Sequence, residues 1–311
     1  MMPPAFSAAA ASSAPMEAEA LAALLALESV EREALRQHPA FPATAFAAAR
    51  SLSAQYRGNV LLTRILNDRG RIALALLMLS MHLESAPDSP GLTAGRLKAE
   101  ATALRLCSPG RVTAVLAACR LLGLVVQAPD ADRRRHRLAL TPRMMAIHTT
   151  RWRGMLEAMA PASPEGARAA AHLDNPRFLE PFVDTMLVPF RAGWRIVGEL
   201  PCLEIFADRD GGLMVAFSLF DAARTGTALS VAHLARECRI SRSHVMEMLR
   251  AAAEAGLVRR DSGRSSEGGV LAEPALVEAM QMLMATALAR LTRASRAGLA
   301  AIGATSVSDA A

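Results

Sequence analysis

The eighteen residues from Ser108 to Val125 lie over Ser241 to Val258 without a gap, and seven positions are identical: Ser108/Ser241, Val112/Val245, Leu116/Leu249, Ala118/Ala251, Gly123/Gly256, Leu124/Leu257 and Val125/Val258. The match extends outward in order. Ile65, Asp68 and Arg69 recur as Ile205, Asp208 and Arg209, Leu92-Thr93 and Leu97 recur as Leu229-Ser230 and Leu234, and Pro142 falls opposite Pro274. The offset drifts only from 140 to 132 along this path, so loop lengths alone separate the copies. A repeat of this kind means that one supersecondary unit is built twice, and the fold of the first constrains the fold of the second.

The unit reads as helix, helix, helix, hairpin, helix. Asp68 is a good N-cap for an apolar helix to about Glu84, and Ser85-Ala-Pro-Asp-Ser-Pro-Gly marks a loop. Thr93 is placed to cap a helix to about Leu106, and Ser108-Pro109 starts another that stops at Gly123, where glycine accepts the left-handed conformation. Val112, Val115, Leu116 and Cys119 share one face of that helix, which leaves its other face free. Leu124 to Gln127 and Arg137 to Leu140 then read as strands around the turn Pro129-Asp130-Ala131-Asp132, and a helix from about Pro142 to Met159 closes the copy. In the second copy the apolar helix spans about Leu213 to Arg224. Two further helices precede the first copy, from Met16 to about Arg36 and from Ala43 to about Tyr56.

Charge says where such a unit would act. The chain has 35 Lys/Arg against 29 Asp/Glu, and Lys98 is its sole lysine. Leu92 to Arg151 alone holds eleven Lys/Arg against three Asp/Glu, a local +8 that exceeds the +6 of the whole chain. A clustered positive surface favours a polyanionic partner. Cys107, Cys119, Cys202 and Cys238 are scattered, with no Cys-x-x-Cys pair, and the histidines show no metal-ligand spacing. Gly-rich phosphate loops, Gly-x-Ser-x-Gly elbows and His-Glu-x-x-His helices are absent. No cofactor, metal or enzymatic activity is expected. Met1 to Pro15 lacks the basic and apolar regions of a signal peptide, and Ile72 to Leu83 is too short to span a bilayer, so the reading is cytoplasmic with no membrane partner.

In a helix-turn-helix the first helix braces the second, whose exposed side and N-terminal end meet the DNA groove and its phosphates. The exposed start of the third helix offers Ser108, Gly110, Arg111 and Thr113 in copy one, and Arg242, Ser243, His244 and Glu247 in copy two. The hairpin of copy one packs Arg133, Arg134, Arg135, His136 and Arg137 after Asp132, a projecting basic loop suited to a narrow minor groove.

Leu122-Gly123-Leu124-Val125, Asp132-Arg133-Arg134 and Leu138-Ala139-Leu140-Thr141 together resemble the wing signature of MarR-type winged-helix regulators. The resemblance covers about Asp68 to Met159. It implies that Arg133 or Arg134 contacts the minor groove, with Asp132 bracing the loop. Copy two keeps Ala255-Gly256-Leu257-Val258-Arg259-Arg260 but has Asp261-Ser-Gly-Arg264-Ser-Ser-Glu-Gly-Gly as its wing, which leaves Arg264 as the tip residue. Both copies depart from the family's Thr-Val-Thr-Arg in the third helix.

The expected fold is mainly α with small β-hairpins (α+β): two winged helix-turn-helix domains in one chain, pseudo-twofold, with additional interface helices. The expected divisions are a disordered tail at 1–15, N-terminal interface helices at 16–58, winged-helix domain 1 at 59–159, connecting helices at 160–200, winged-helix domain 2 with its C-terminal helix at 201–302, and a flexible tail at 303–311. The expected function is a sequence-specific double-stranded DNA-binding transcriptional regulator, by resemblance a repressor. Homodimer formation and a small-molecule effector stay open. The alternatives are a winged-helix protein-interaction scaffold of the chromosome-segregation type and a plasmid replication initiator. Met280, Met282, Met284, Trp152 and Trp194 read as packing residues.

Overall fold

The computed structural model describes residues 18–56, 68–86, 88–129, 136–261 and 269–303. It is mainly helical, with two small antiparallel two-stranded sheets. Helices α1 (Ala18–Gln37) and α2 (Phe41–Tyr56) come first. The first copy follows as α3 (Arg69–Leu83), α4 (Ala94–Ala103), α5 (Pro109–Leu121), β1 (Val125–Gln127), β2 (Leu138–Leu140) and α6 (Pro142–Met159). Helices α7 (Pro164–Ala170) and α8 (Pro176–Arg191) connect it, through two short 3-10 turns, to α9 (Glu204–Ala207). The second copy is α10 (Gly212–Ala223), α11 (Val231–Cys238), α12 (Arg242–Glu254), β3 (Val258–Arg260), β4 (Val270–Ala272) and α13 (Pro274–Ala301).

The copies share the caps of their helix pairs and the register of their hairpins. Thr93 and Ser230 cap α4 and α11, each hydroxyl accepting from the backbone N–H three residues on at 3.1 Å. Ser108 and Ser241 cap α5 and α12 in the same way, at 3.3 and 3.1 Å. Both third helices end at a left-handed glycine, Gly123 (φ 64°) and Gly256 (φ 70°), after which Leu124 N–H donates to Cys119 and Leu257 N–H to Ala252, both at 2.8 Å. In the hairpins Val125 pairs with Leu140 and Val258 with Ala272, the same register. Leu92 accepts from Leu138 N–H, and Leu229 exchanges two bonds with Val270, so each hairpin is tied to the start of its helix pair.

The helix predicted to run to about Leu106 ends at Ala103. Arg105 takes a left-handed conformation (φ 51°) that lets Leu106 N–H reach back to Ala101 at 2.9 Å and closes the helix. Copy two does the same with Arg239 (φ 54°) and an Ile240 N–H bond to Ala235 at 3.1 Å. Turn residues are hard to read from sequence when an arginine stands where glycine is the usual signal.

Both copies drain into one continuous apolar core that runs from Phe41 to Leu299. Helix α8 buries Phe178, Leu179, Phe182, Val183 and Leu187, and packs along α13 on one side and α3 on another. The stretch expected as connecting helices therefore holds a central helix of the core, even though it contains Pro181 and Pro189. Helix α2 packs its alanine face, Ala45, Ala48 and Ala49, near α6 and α10. Met280 and Met284 are buried on α13, and Trp152 is buried beside Phe182, in agreement with packing roles.

Charge fixes α1 to α13. Arg290 grips Glu28 through two bonds of 2.5 and 2.9 Å, Arg293 and Arg296 both reach Glu31, and Arg290 also lies 4.0 Å over the Trp194 ring. Among the described residues no helix is long and apolar enough to cross a membrane.

Candidate nucleic-acid interface

The helix pairs α4–α5 and α11–α12 set the site. Helix α5 buries Val112, Val115, Leu116 and Cys119, and α12 buries Val245, Met248, Leu249 and Ala252, so apolar spacing alone fixes which sides remain outward. The outward side of α5 is short and smooth: Gly110, Thr113, Ala114 and Ala117 are exposed there, with Arg120 near its end. The outward side of α12 is long and polar, with Arg242, Ser243, Met246, Glu247 and Arg250 exposed.

The residues expected from sequence differ in how their side chains are engaged. Ser108 and Ser241 are exposed but spend their hydroxyls on helix caps, and Thr113 donates its hydroxyl to Pro109 O at 3.0 Å. Ser243 bonds Ser241 at 3.0 Å, and Gly110 is exposed with open space where a side chain would stand. Arg111 is half-exposed, yet its guanidinium is held by Asp68 at 2.7 Å. The matching His244 turns its ring toward Asp210 O at 3.3 Å, so in both copies this position props the third helix against the start of the first. Arg242 is exposed and, among the described residues, its side chain forms no hydrogen bond or ion pair.

Arg137 lies at the base of the hairpin. Its backbone bridges to Thr93, and its guanidinium rests against Gly91, where a Cβ would come within 2.5 Å of it. That side chain is directed toward the body of copy one, and with burial it holds the His82 imidazole below its ordinary pKa. Arg133, Arg134, Arg135 and Arg264 lie outside the described residues, as does most of the predicted turn from Pro129 to Asp132.

The starts of the two third helices are joined by a polar chain. Asp68 caps α3 through Arg71 N–H at 2.9 Å and also holds Arg111. Its neighbour Arg69 crosses to Asp208 of the second copy at 2.7 Å, and Arg209 reaches Glu247 on α12 at 3.8 Å. A second set of arginines clamps only copy one. Arg191 on α8 bonds Glu100 on α4 at 2.8 Å, and Arg195 donates to Leu104 O at 2.8 Å in the α4–α5 turn.

Sequence reasoning missed Met246 and Arg250. Their spacing of four and eight from Arg242, on the side opposite Val245, Met248 and Leu249, was the signal available. It also missed the Arg69–Asp208 contact, although these residues were already matched within the repeat.

Among the described residues no three His, Cys, Asp or Glu side chains group as a metal site, and all four cysteines are free thiols. Burial pushes the Cys119 thiol up to about 11, which makes it unreactive at neutral pH. Comparison with family models, with curated proteins and with solved structures gives no match for this chain.

Proposed function

We propose that the chain is a sequence-specific double-stranded DNA-binding regulator of transcription, a repressor built from two MarR-like winged helix-turn-helix units in pseudo-twofold arrangement. The observation that carries this reading is the repeated unit itself. Two helix pairs, each followed by a hairpin, present third helices with one face buried and one face free of the fold, while Arg111–Asp68 and Arg69–Asp208 tie α5 to the segment before α10, from which Arg209 reaches Glu247 of α12.

Under this reading α5 and α12 enter successive major-groove segments. Ser108, Gly110, Arg111 and Thr113 line the approach of the first, Arg242, Ser243 and His244 that of the second. The hairpin arginines Arg133, Arg134 and Arg135, with Arg264 in copy two, supply phosphate and minor-groove contacts, while Arg137, turned toward Gly91, braces the base of the hairpin. Because the two third helices differ in sequence, the preferred site is an imperfect palindrome.

The test is selection from a random duplex pool with the full chain at moderate salt. The reading requires enrichment of a two-part asymmetric sequence and affinity that falls steeply with salt as counterions are released. Failure to retain any duplex at low salt would leave the protein-interaction scaffold as the better account.

A further inference from the structure

The two third helices are unequal, and the inequality can be read side chain by side chain. In the gap-free match Pro109 stands opposite Arg242, Thr113 opposite Met246, Ala114 opposite Glu247 and Ala117 opposite Arg250. Copy one thus has short side chains where copy two has long ones. The arginine nearest the start of α5, Arg111, is already bound to Asp68. Arg242 and Arg250 are exposed and, among the described residues, have no hydrogen-bond or ion-pair partner. Between them Met246 is a large apolar side chain left 47% exposed, on a helix whose other apolar residues of that size are buried.

Resting on the DNA reading above, we infer that the outward stripe Arg242–Met246–Arg250 of α12 is the principal base-reading surface of the protein, taking a major-groove segment with guanines flanking a thymine. The spacing suits the task. Eight residues of helix advance about 12 Å, which covers roughly three to four base-pair steps. A free guanidinium pairs with the O6 and N7 edge of guanine, and an exposed apolar side chain packs on the thymine methyl group. Glu247, beside the stripe and 68% exposed on its side chain, repels phosphate there and accepts from a cytosine amino group. Helix α5, with only small side chains along its middle, reads its half-site less stringently than α12 reads its own.

The experiment compares full-length wild type with Arg242→Ala, Arg250→Ala and Met246→Ala. Each is measured on the duplex that wild type selects and on a scrambled duplex of equal length, across a salt series. All three positions are exposed, so thermal midpoints should match wild type. Each arginine variant should lose about 10- to 100-fold on the selected duplex and far less on the scrambled one. Met246→Ala should erase the preference at a single position between the two guanines. Ala114→Ser and Ala117→Ser in α5 should alter the ratio by less than about threefold. Equal losses on both duplexes would make the arginines phosphate contacts and overturn the assignment, as would unchanged affinities. If wild type retains no duplex at all, the DNA reading fails and this inference with it, an outcome distinguishable before any variant is made.

Discussion

Arg69 of the first copy and Asp208 of the second lie 2.7 Å apart, although both residues belong to the same three-residue match within the repeat. The repeat-equivalent aspartate, Asp68, is engaged with Arg71 and Arg111 instead, and the repeat-equivalent arginine, Arg209, turns to Glu247. The junction between the copies is therefore made by one half of a pair that symmetry would have made twice.

Both partners of this ion pair are about half exposed, and such pairs contribute only about 0–1 kcal/mol to stability. Asp208→Ala should accordingly leave the urea midpoint nearly unchanged. Its effect belongs to geometry: with the tie gone, binding should tolerate one or two inserted base pairs between half-sites better than wild type does. An unaltered spacing preference would show that the core alone sets the separation of the copies.

Helices α8 and α13 approach closely at Gly298, where a Cβ would stand 2.5 Å from the Phe178 ring and 2.9 Å from its carbonyl oxygen. Gly298→Ala should cost about 1–3 kcal/mol through overpacking. Gly95, in α4, has nothing within 4 Å of the same position, so Gly95→Ala should raise stability by up to about 1 kcal/mol. Chemical denaturation of the two variants checks the packing with opposite signs.

His148 is fully buried beside Trp152, its ring nitrogens have no hydrogen-bond partner, and burial together with the Arg151 charge holds its pKa well below the ordinary value of 6.5. The unfolded chain titrates near that ordinary value, so below it the unfolded state binds the extra proton and the native state does not. Stability is then fully present above pH 6.5 and falls as pH drops, at a rate approaching about 1.4 kcal/mol per pH unit for this group. His148→Phe should flatten that slope in part, because His82 is shifted the same way by burial and by Arg137. Identical pH dependence in the variant and wild type would remove His148 from the account.

Glu28 retains 4% of its side-chain exposure and Arg290 13%, so removing one partner strands a charge that water reaches poorly. Glu28→Ala should cost about 3 kcal/mol, whereas exposed Glu33→Ala should cost under about 1 kcal/mol. Trp194 stacks on Arg290, so its fluorescence should report the loosening of α1 from α13 before global unfolding.

Element identity was legible in this sequence because caps and stops are written in plain residues. Asp68, Thr93, Ser108, Pro142 and Gly123 stand where the helices begin or end, and the repeat transferred the last four readings to Ser230, Ser241, Pro274 and Gly256, whereas Asp208 lies ahead of α10, whose N-cap is Gly211. The α4–α5 turn was misplaced because Arg105 adopts a conformation usually left to glycine. The central role of α8 was hidden by two internal prolines, which argue for a break although the helix continues through them. Candidate residues were legible as chemistry but not as availability. Nothing in the local pattern says that Arg111 is claimed by Asp68, 43 residues away, while the Arg242 side chain has no partner among the described residues.

Affinity of the full chain for its selected duplex and for a scrambled one, measured from low to physiological salt, tests sequence-specific DNA binding most directly. A regulator of this kind shows a steep log–log salt slope on both duplexes and at least about a thousandfold preference for the selected sequence at physiological salt. Binding that is absent at low salt, or that shows no preference between the two duplexes, would contradict the DNA reading.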